Sequence, residues 1–225
     1  MGMSVNTNVG AMLALQNLNK SNKMLETTQL HITTGLKVNG PKDDAATYAI
    51  AQRMRGDIAG MGAVKTALSN GEATVNVAIT AGKAVADMLT EMKAKTVQAN
   101  QAGLDTASKD ALQNDFTSLR DQLTTIVQTA EFNGKNLITS AATSLTVLST
   151  VDGSSISVAA QKLDTTTLGI NASNISSGAS AALVAIDAAI NTVTSSLASL
   201  GSSSKRIDVQ AEFTVQLVDI LKEGV

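Results

Sequence analysis

From Leu183 to Leu221 the chain returns an apolar or small residue at alternating steps of three and four: Leu183, Ile186, Ile190, Val193, Leu197, Leu200, Ser204, Ile207, Ala211, Thr214, Val218 and Leu221. The run continues across Gly201 without losing phase. A 3/4 alternation of this length is the signature of a long helix with a narrow apolar seam. Such a seam cannot be buried by the helix that carries it, so the chain must supply at least one more helix of comparable length alongside.

Two further stretches qualify. Leu112, Phe116, Leu119, Leu123, Ile126 and Ala130 repeat the same steps. The stretch before them, "QAGLDTASKD" (101–110), reads as a short turn that restarts a helix with a cap at Asp105 to Ser108. A short link makes the flanking helices antiparallel neighbours. Upstream, Ile50, Met54, Ile58, Met61, Leu68, Val75, Ile79, Val85, Leu89 and Met92 mark a broader stripe on a helix expected from Pro41 to about Asn100. Gly56, Gly60, Gly62, Gly71 and Gly82 weaken that helix, unless they serve to let another helix approach closely. The aliphatic bias fits close-packed helices: apolar residues make up 44% of the chain, yet aromatics only 2%.

At the N-terminus, Leu15, Leu18, Asn22, Leu25, Gln29, Ile32 and Leu36 form a narrow seam with two polar members. It stops at "NGPKDD". Gly40 and Pro41, the chain's one proline, break the pattern. Pro41 suits the first turn of a new helix, with Asp43 and Asp44 placed where the helix dipole favours carboxylates. The segment therefore reads as a joint between two helices. In the middle, Asn133-Gly134 signals one hairpin. Leu145 and Val147 face Ile156 and Val158 across Asp152-Gly153 in a second. Small hairpins are expected over about 131–170, followed by a polar linker, "INASNISSGAS". The expected fold is mainly α: a long antiparallel coiled-coil-like helical rod (41–225) carrying β-hairpins, preceded by an N-terminal helical arm (1–40).

The same composition excludes several functions. A net charge of −2 and the lack of stacking aromatics argue against nucleic acid. There is no cysteine, and the one histidine, His31, reads as a rim residue. No nucleophile triad, phosphate loop or His-Glu-x-x-His pattern occurs, so neither a catalytic nor a metal site is expected, nor a cofactor. "NAS" at Asn171 and "NIS" at Asn174 match glycosylation acceptors by a pattern common by chance. The N-terminus has no signal-peptide layout, and no stretch approaches the roughly 18 apolar residues of a membrane span.

The segments "VNTNVGAMLALQNLNKSNKMLETTQLHITTGLKVNGPKDDAATYAIAQRMR", "EFNGKNLI" and "LASLGSSSKRID" together resemble bacterial flagellin, from about Val5 to Leu221. The last resembles the start of the flagellin C-terminal helix. The resemblance implies a structural subunit that builds a filament with copies of itself. It also implies export through the flagellar type III channel, with cap or junction proteins as further partners. In that family the arm pairs with a terminal helix lying beyond the point matched by Val225. On that expectation this chain alone is a folded monomer with a mobile arm. "LTEMKAKTVQANQ" (89–101) matches the segment that a Toll-like receptor reads in enteric flagellins. Lys93, Val97 and Gln98 keep its character, whereas Glu91, Ala94, Lys95 and Thr96 depart from it, so host recognition is expected to be weak or absent. The rival readings are a hook–filament junction protein and a surface-displayed module binding a glycan or host receptor.

Overall fold

A computed structural model describes residues 8–224. The chain forms two compact units, one holding the residues up to Ile58 and from Leu221 on, the other Ala59–Ile220.

In the first unit, helix α1 runs Val9–Thr34. Asn8 caps it, its side-chain oxygen accepting from the amides of Gly10 and Ala11 at 3.0 and 3.2 Å. The helix ends earlier than the seam suggested. Gly35 takes a left-handed conformation (φ 69°) and donates its N–H to the carbonyl of His31. This is the glycine termination that stops a helix at no steric cost, and the sequence signals it in "TTGL". Leu36 therefore lies outside α1, and Gly40 and Pro41 fall in the connection rather than at the helix end. Helix α2 runs Ala45–Ala99, so it begins four residues later than Pro41. Pro41 sits in a turn closed by the Asp43 amide on the Gly40 carbonyl at 3.1 Å. Asp44, not Pro41, opens the helix.

The second unit is a bundle of α2 from Ala59 on, α3 (Thr106–Thr129) and α4 (Ile175–Glu223) as far as Ile220, with two small hairpins. Asp105 caps α3 by accepting from the Ser108 amide. The α4 repeat is realised in the core. Ile186, Val193, Leu200 and Ile207 are fully buried, and Thr214 continues the same seven-residue step. The alternate seam members Ile190, Leu197 and Ala211 are partly buried against the same core. Ala182, Ala189 and Ser196 form a second buried line one position earlier, which the sequence reading did not include. Small residues there let α4 lie close to its neighbours.

Polar contacts fix the direction of α4 against α2. Asn76 meets Ser204 at 3.5 Å, Lys93 meets Asp187 at 2.6 Å and Asn100 meets Ser180 at 3.1 Å. Each advance along α2 is matched residue for residue by a retreat along α4, so the helices are antiparallel and in constant register. At the far end Gln113 of α3 accepts from the Ile175 amide (2.7 Å), and Asp110 accepts from Ser176 (2.9 Å). Helix α4 thus starts within the expected polar linker, capped by Asn174, with a kink at Gly178 (φ −139°, ψ 42°). "LASLGSSSKRID" consequently lies mid-helix rather than at a helix start. A second correction concerns apolar length. Helix α4 is long and apolar enough to cross a membrane by length and composition. Its alanines, added to the core-facing stripe, produce that result.

The hairpins pair as the sequence indicated. β1 (Glu131–Phe132) and β2 (Lys135–Asn136) flank a turn in which Asn133 and Gly134 both have positive φ, 49° and 74°. β3 (Leu145–Leu148) pairs antiparallel with β4 (Ser155–Val158), with Leu145 opposite Val158 and Val147 opposite Ile156. Strand structure stops at Val158. Residues 159–174 are turns and irregular chain that bury Leu163, Leu168 and Ile170. Their backbone finds partners singly, as where the Gln161 and Leu163 amides donate to Leu137 and Ile138 at 2.8 Å.

Three of the α2 glycines have a packing role. A Cβ on Gly71 would lie 2.5 Å from the Val147 side chain; on Gly60, 2.9 Å from Val151; on Gly82, 2.9 Å from Leu197. Gly60 and Gly71 seat the β3–β4 hairpin and Gly82 seats α4. At Gly56 and Gly62 a Cβ would meet nothing. Two stability outcomes follow for thermal or denaturant unfolding. Gly71→Ala destabilises by about 1–3 kcal/mol through overpacking, whereas Gly62→Ala stabilises by up to about 1 kcal/mol through helix propensity. Phe116 is fully buried between partly buried Leu112 and Leu119. Phe116→Ala therefore costs about 3–5 kcal/mol, and a loss below about 1 kcal/mol would place it at the surface.

Candidate assembly surface and joint

Every residue of α1 is solvent-exposed except His31, which is half-covered. The seam residues Leu15, Leu18, Leu25 and Ile32 are 59%, 57%, 67% and 77% exposed. Asn22 and Gln29 are exposed beside them. The apolar surface is broader than the seam, because Met12, Leu13, Met24 and Leu30 are also exposed. A helix without a packed face gains little stability from burial. Internal bonds supplement its backbone ladder: Thr27, Thr28, Thr33 and Thr34 each donate a hydroxyl to the carbonyl four residues back. Leu36, placed by the sequence at the end of the seam, is half-buried in the connection instead.

The joint is organised by two adjacent carboxylates with different tasks. Asp44 Oδ1 accepts from the amides of Ala46 and Thr47 at 3.0 and 3.1 Å, and its Oδ2 accepts from the Thr47 hydroxyl at 2.6 Å. It is the N-cap of α2. Asp43 reaches backwards. Its Oδ2 accepts from the Asn39 amide at 3.1 Å and lies 3.3 Å from His31 Nε2. Neither carboxylate occupies the first helical turn assigned to it by sequence. The partners His31, Asn39 and Thr47 were missed as site residues. The Asp-x-x-Thr spacing could have revealed the cap, but only folding brings His31 to Asp43. Bonding to the charged form depresses both acids. His31 is the main cause at Asp43, and the Thr47 hydroxyl at Asp44.

In the segment matched to the receptor-read region, Glu91, Val97 and Gln98 are exposed. The two lysines are engaged within the bundle: Lys93 pairs with Asp187 of α4 at 2.6 Å, and Lys95 with Asp115 of α3 at 2.6 Å. Thr96 faces inward, fully buried, its hydroxyl returned to the Met92 carbonyl at 2.7 Å. Sequence spacing placed these residues on one helix but did not reveal that the lysines bridge to neighbours. Among the described residues no cluster of His, Cys, Asp or Glu could hold a metal ion.

The family model for the bacterial flagellin N-terminal helical region matches residues 5–143. The chain belongs to the bacterial flagellin family. Flagellin FljK of Caulobacter vibrioides is 41% identical over 99% of this chain and 82% of its own length. Flagellin C of Rhizobium meliloti is 32% identical over 99% of this chain and 85% of its own. Among solved structures, Bacillus cereus flagellin superposes with a TM-score of 0.58 at 22% identity, covering 64% of this chain and 86% of that one. A putative flagellar hook-associated protein from Vibrio parahaemolyticus gives 0.66 at 14% identity, covering 82% and 98%. At these identities the structural matches speak for the fold alone, whereas the sequence relatives are flagellins along essentially the whole chain.

The joint has a defined acid response. Carboxylates depressed in the folded state contribute stability above their usual value of 3.8, and that contribution is lost as pH falls through the lowered folded values. Below about pH 4 the first turn of α2 therefore frays while the bundle core, built on aliphatic side chains, persists. Amide exchange at Ala46 and Thr47, compared with Leu123, reads this directly. Asp44→Ala produces the same fraying at neutral pH.

Proposed function

We propose that this flagellin is a structural subunit of the bacterial flagellar filament and that it polymerises through the exposed apolar surface of α1. Flagellins are secreted filament subunits and not enzymes, and this chain shares that role. The observation carrying the α1 reading is a 26-residue helix with no buried residue, bearing leucines and methionines along its length. Apolar surface on this scale calls for a partner, and a polymer of identical subunits supplies one. Val209, Phe213 and Ile220 on α4, each more than half exposed, are further candidates for contact between subunits. In this reading residues 1–40 are the assembling arm, 41–225 the rod domain, and Gly40, Pro41, Asp43 and Asp44 the joint. The flagellar export apparatus and cap or junction proteins are the remaining proposed partners.

Co-sedimentation with preformed flagellar filaments, which present the partner surface to a monomeric chain, tests the reading. Leu18→Glu with Leu25→Glu should abolish that co-sedimentation while the thermal midpoint of the bundle stays unchanged, since neither residue contributes to the core. Undiminished co-sedimentation of that variant would remove α1 from the assembly surface. The receptor-like segment supports a further expectation. With Glu91 exposed and both lysines held in intramolecular bridges, signalling through the flagellin-sensing receptor is weak. A reporter-cell assay with potency equal to an enteric flagellin would contradict it.

A further inference from the structure

The pair Asn-Gly occurs three times in the chain, at Asn39-Gly40, Asn70-Gly71 and Asn133-Gly134. In this pair the backbone nitrogen of the glycine can attack the side-chain amide of the asparagine, because glycine has no Cβ to obstruct the approach and turns freely. The dipeptide is the same in all three places, so the amino-acid order does not rank them. The fold does.

Asn70 and Gly71 lie inside α2. The Gly71 N–H is committed to the helix ladder, and Gly71 itself is buried beneath the Val147 side chain. Its nitrogen cannot reach the Asn70 side chain unless helix and core open together. Asn39 and Gly40 lie half-buried in the joint. There the Asp43 carboxylate stands against them. It accepts from the Asn39 amide at 3.1 Å, and its pKa is lowered first by His31, then by the Asn39 amide and more weakly by that of Gly40. A carboxylate in this position opposes loss of the proton that would make the Gly40 nitrogen a nucleophile.

Asn133 and Gly134 are both exposed, at the tip of the β1–β2 hairpin. Among the described residues none accepts from the Gly134 N–H, and none bonds to the Asn133 side chain. Only two residue pairs flank the turn, Glu131 with Asn136 and Phe132 with Lys135. So short a hairpin gives way easily, which frees the turn to adopt the geometry the attack requires.

We propose that Asn133 is a self-modifying site that converts to aspartate and isoaspartate with water as its one co-reactant, while the fold guards Asn39 and Asn70. The Gly134 nitrogen loses its proton and bonds to Cγ of Asn133. The Cγ–Nδ2 bond breaks, and ammonia leaves carrying that proton. Water then opens the cyclic imide at one of its two carbonyls. Opening at the backbone carbonyl gives isoaspartate, and opening at the side-chain carbonyl gives aspartate. One water enters and one ammonia leaves, with no change of oxidation state.

The two products differ in consequence. Asn133 has φ 49°, a conformation that aspartate also tolerates, so the aspartate form keeps the turn and adds a negative charge at its tip. Isoaspartate inserts a methylene into the backbone of a two-residue turn and breaks the register of Phe132 with Lys135. The damage stops at Asn136, whose Nδ2 donates to the Val127 carbonyl at 2.8 Å and whose Oδ1 accepts from the Ile138 amide at 2.8 Å.

Peptide mapping of the full chain by mass spectrometry, after incubation in mildly alkaline buffer, tests this. Amide-to-acid conversion at Asn133 should run about a hundredfold or more faster than at Asn70 and about tenfold faster than at Asn39. In urea the three rates should converge, because the shared dipeptide then decides them. Asp43→Ala should bring Asn39 close to the rate of Asn133 and leave Asn133 unchanged. In the folded protein the isoaspartate fraction should lose amide-exchange protection at the Lys135 N–H, and the aspartate fraction should keep it. Equal rates at Asn133 and Asn70 in the folded chain, or the folded ranking persisting in urea, would overturn the proposal. A slow Asn39 in Asp43→Ala would overturn the guard assigned to that carboxylate. None of these readouts involves a filament, so the outcome is independent of how the subunits assemble.

Discussion

The bundle depends on the constant register between α2 and α4. Two long helices packed antiparallel can slide by a heptad with little change in their apolar faces, because an aliphatic seam looks alike from one repeat to the next. In this chain the polar pairs remove that freedom. Asn76 with Ser204, Lys93 with Asp187 and Asn100 with Ser180 satisfy one another at a single alignment. Individually such exposed contacts contribute little. Their value is in making every other alignment leave them unpaired, while Ile186, Val193, Leu200 and Ile207 supply the burial.

Register in turn decides where the hairpins sit. Gly60 and Gly71 lie on the α2 face that receives Val151 and Val147 from the β3–β4 hairpin. A slip by one heptad would present side chains where the hairpin needs bare backbone. Gln210 of α4 donates to the Ser149 carbonyl at 2.9 Å, so the same hairpin is held from both helices. With a 2% aromatic content the core cannot rely on large rings to fill gaps, and close approach over glycine and alanine takes their place.

The first unit follows the opposite design. Its helix buries nothing, and its joint rests on a few directed hydrogen bonds around Asp43 and Asp44. A segment secured by local polar contacts rather than by apolar burial opens at low energetic cost. That suits an element whose apolar surface is proposed to be completed by other subunits of a filament.

The helical plan, the α3 cap at Asp105, the turn at Asn133-Gly134 and the pairing of Leu145 and Val147 with Val158 and Ile156 were all legible in the amino-acid order. Each is a local matter: periodicity of 3.5 or 2, or a residue suited to one backbone conformation. The family was legible for the same reason, since its motifs are continuous stretches. Helix ends were read less well. Pro41 drew attention away from Gly35 and Asp44, because any of the three can punctuate a helix and only the folded backbone selects among them. The start of α4 was hidden in a polar run, since Ile175 and Ser176 find their partners on α3, far away in sequence. Which glycines are needed, Gly71 but not Gly62, was decided by what lies opposite each one. His31 stood as an ordinary rim residue until the connection folded back and brought Asp43 to it. Sequence by itself determined what is periodic along the chain. Tertiary structure decided what depends on distance between residues remote in the chain, because a side chain's order along the backbone does not contain the identity of its neighbour across a gap.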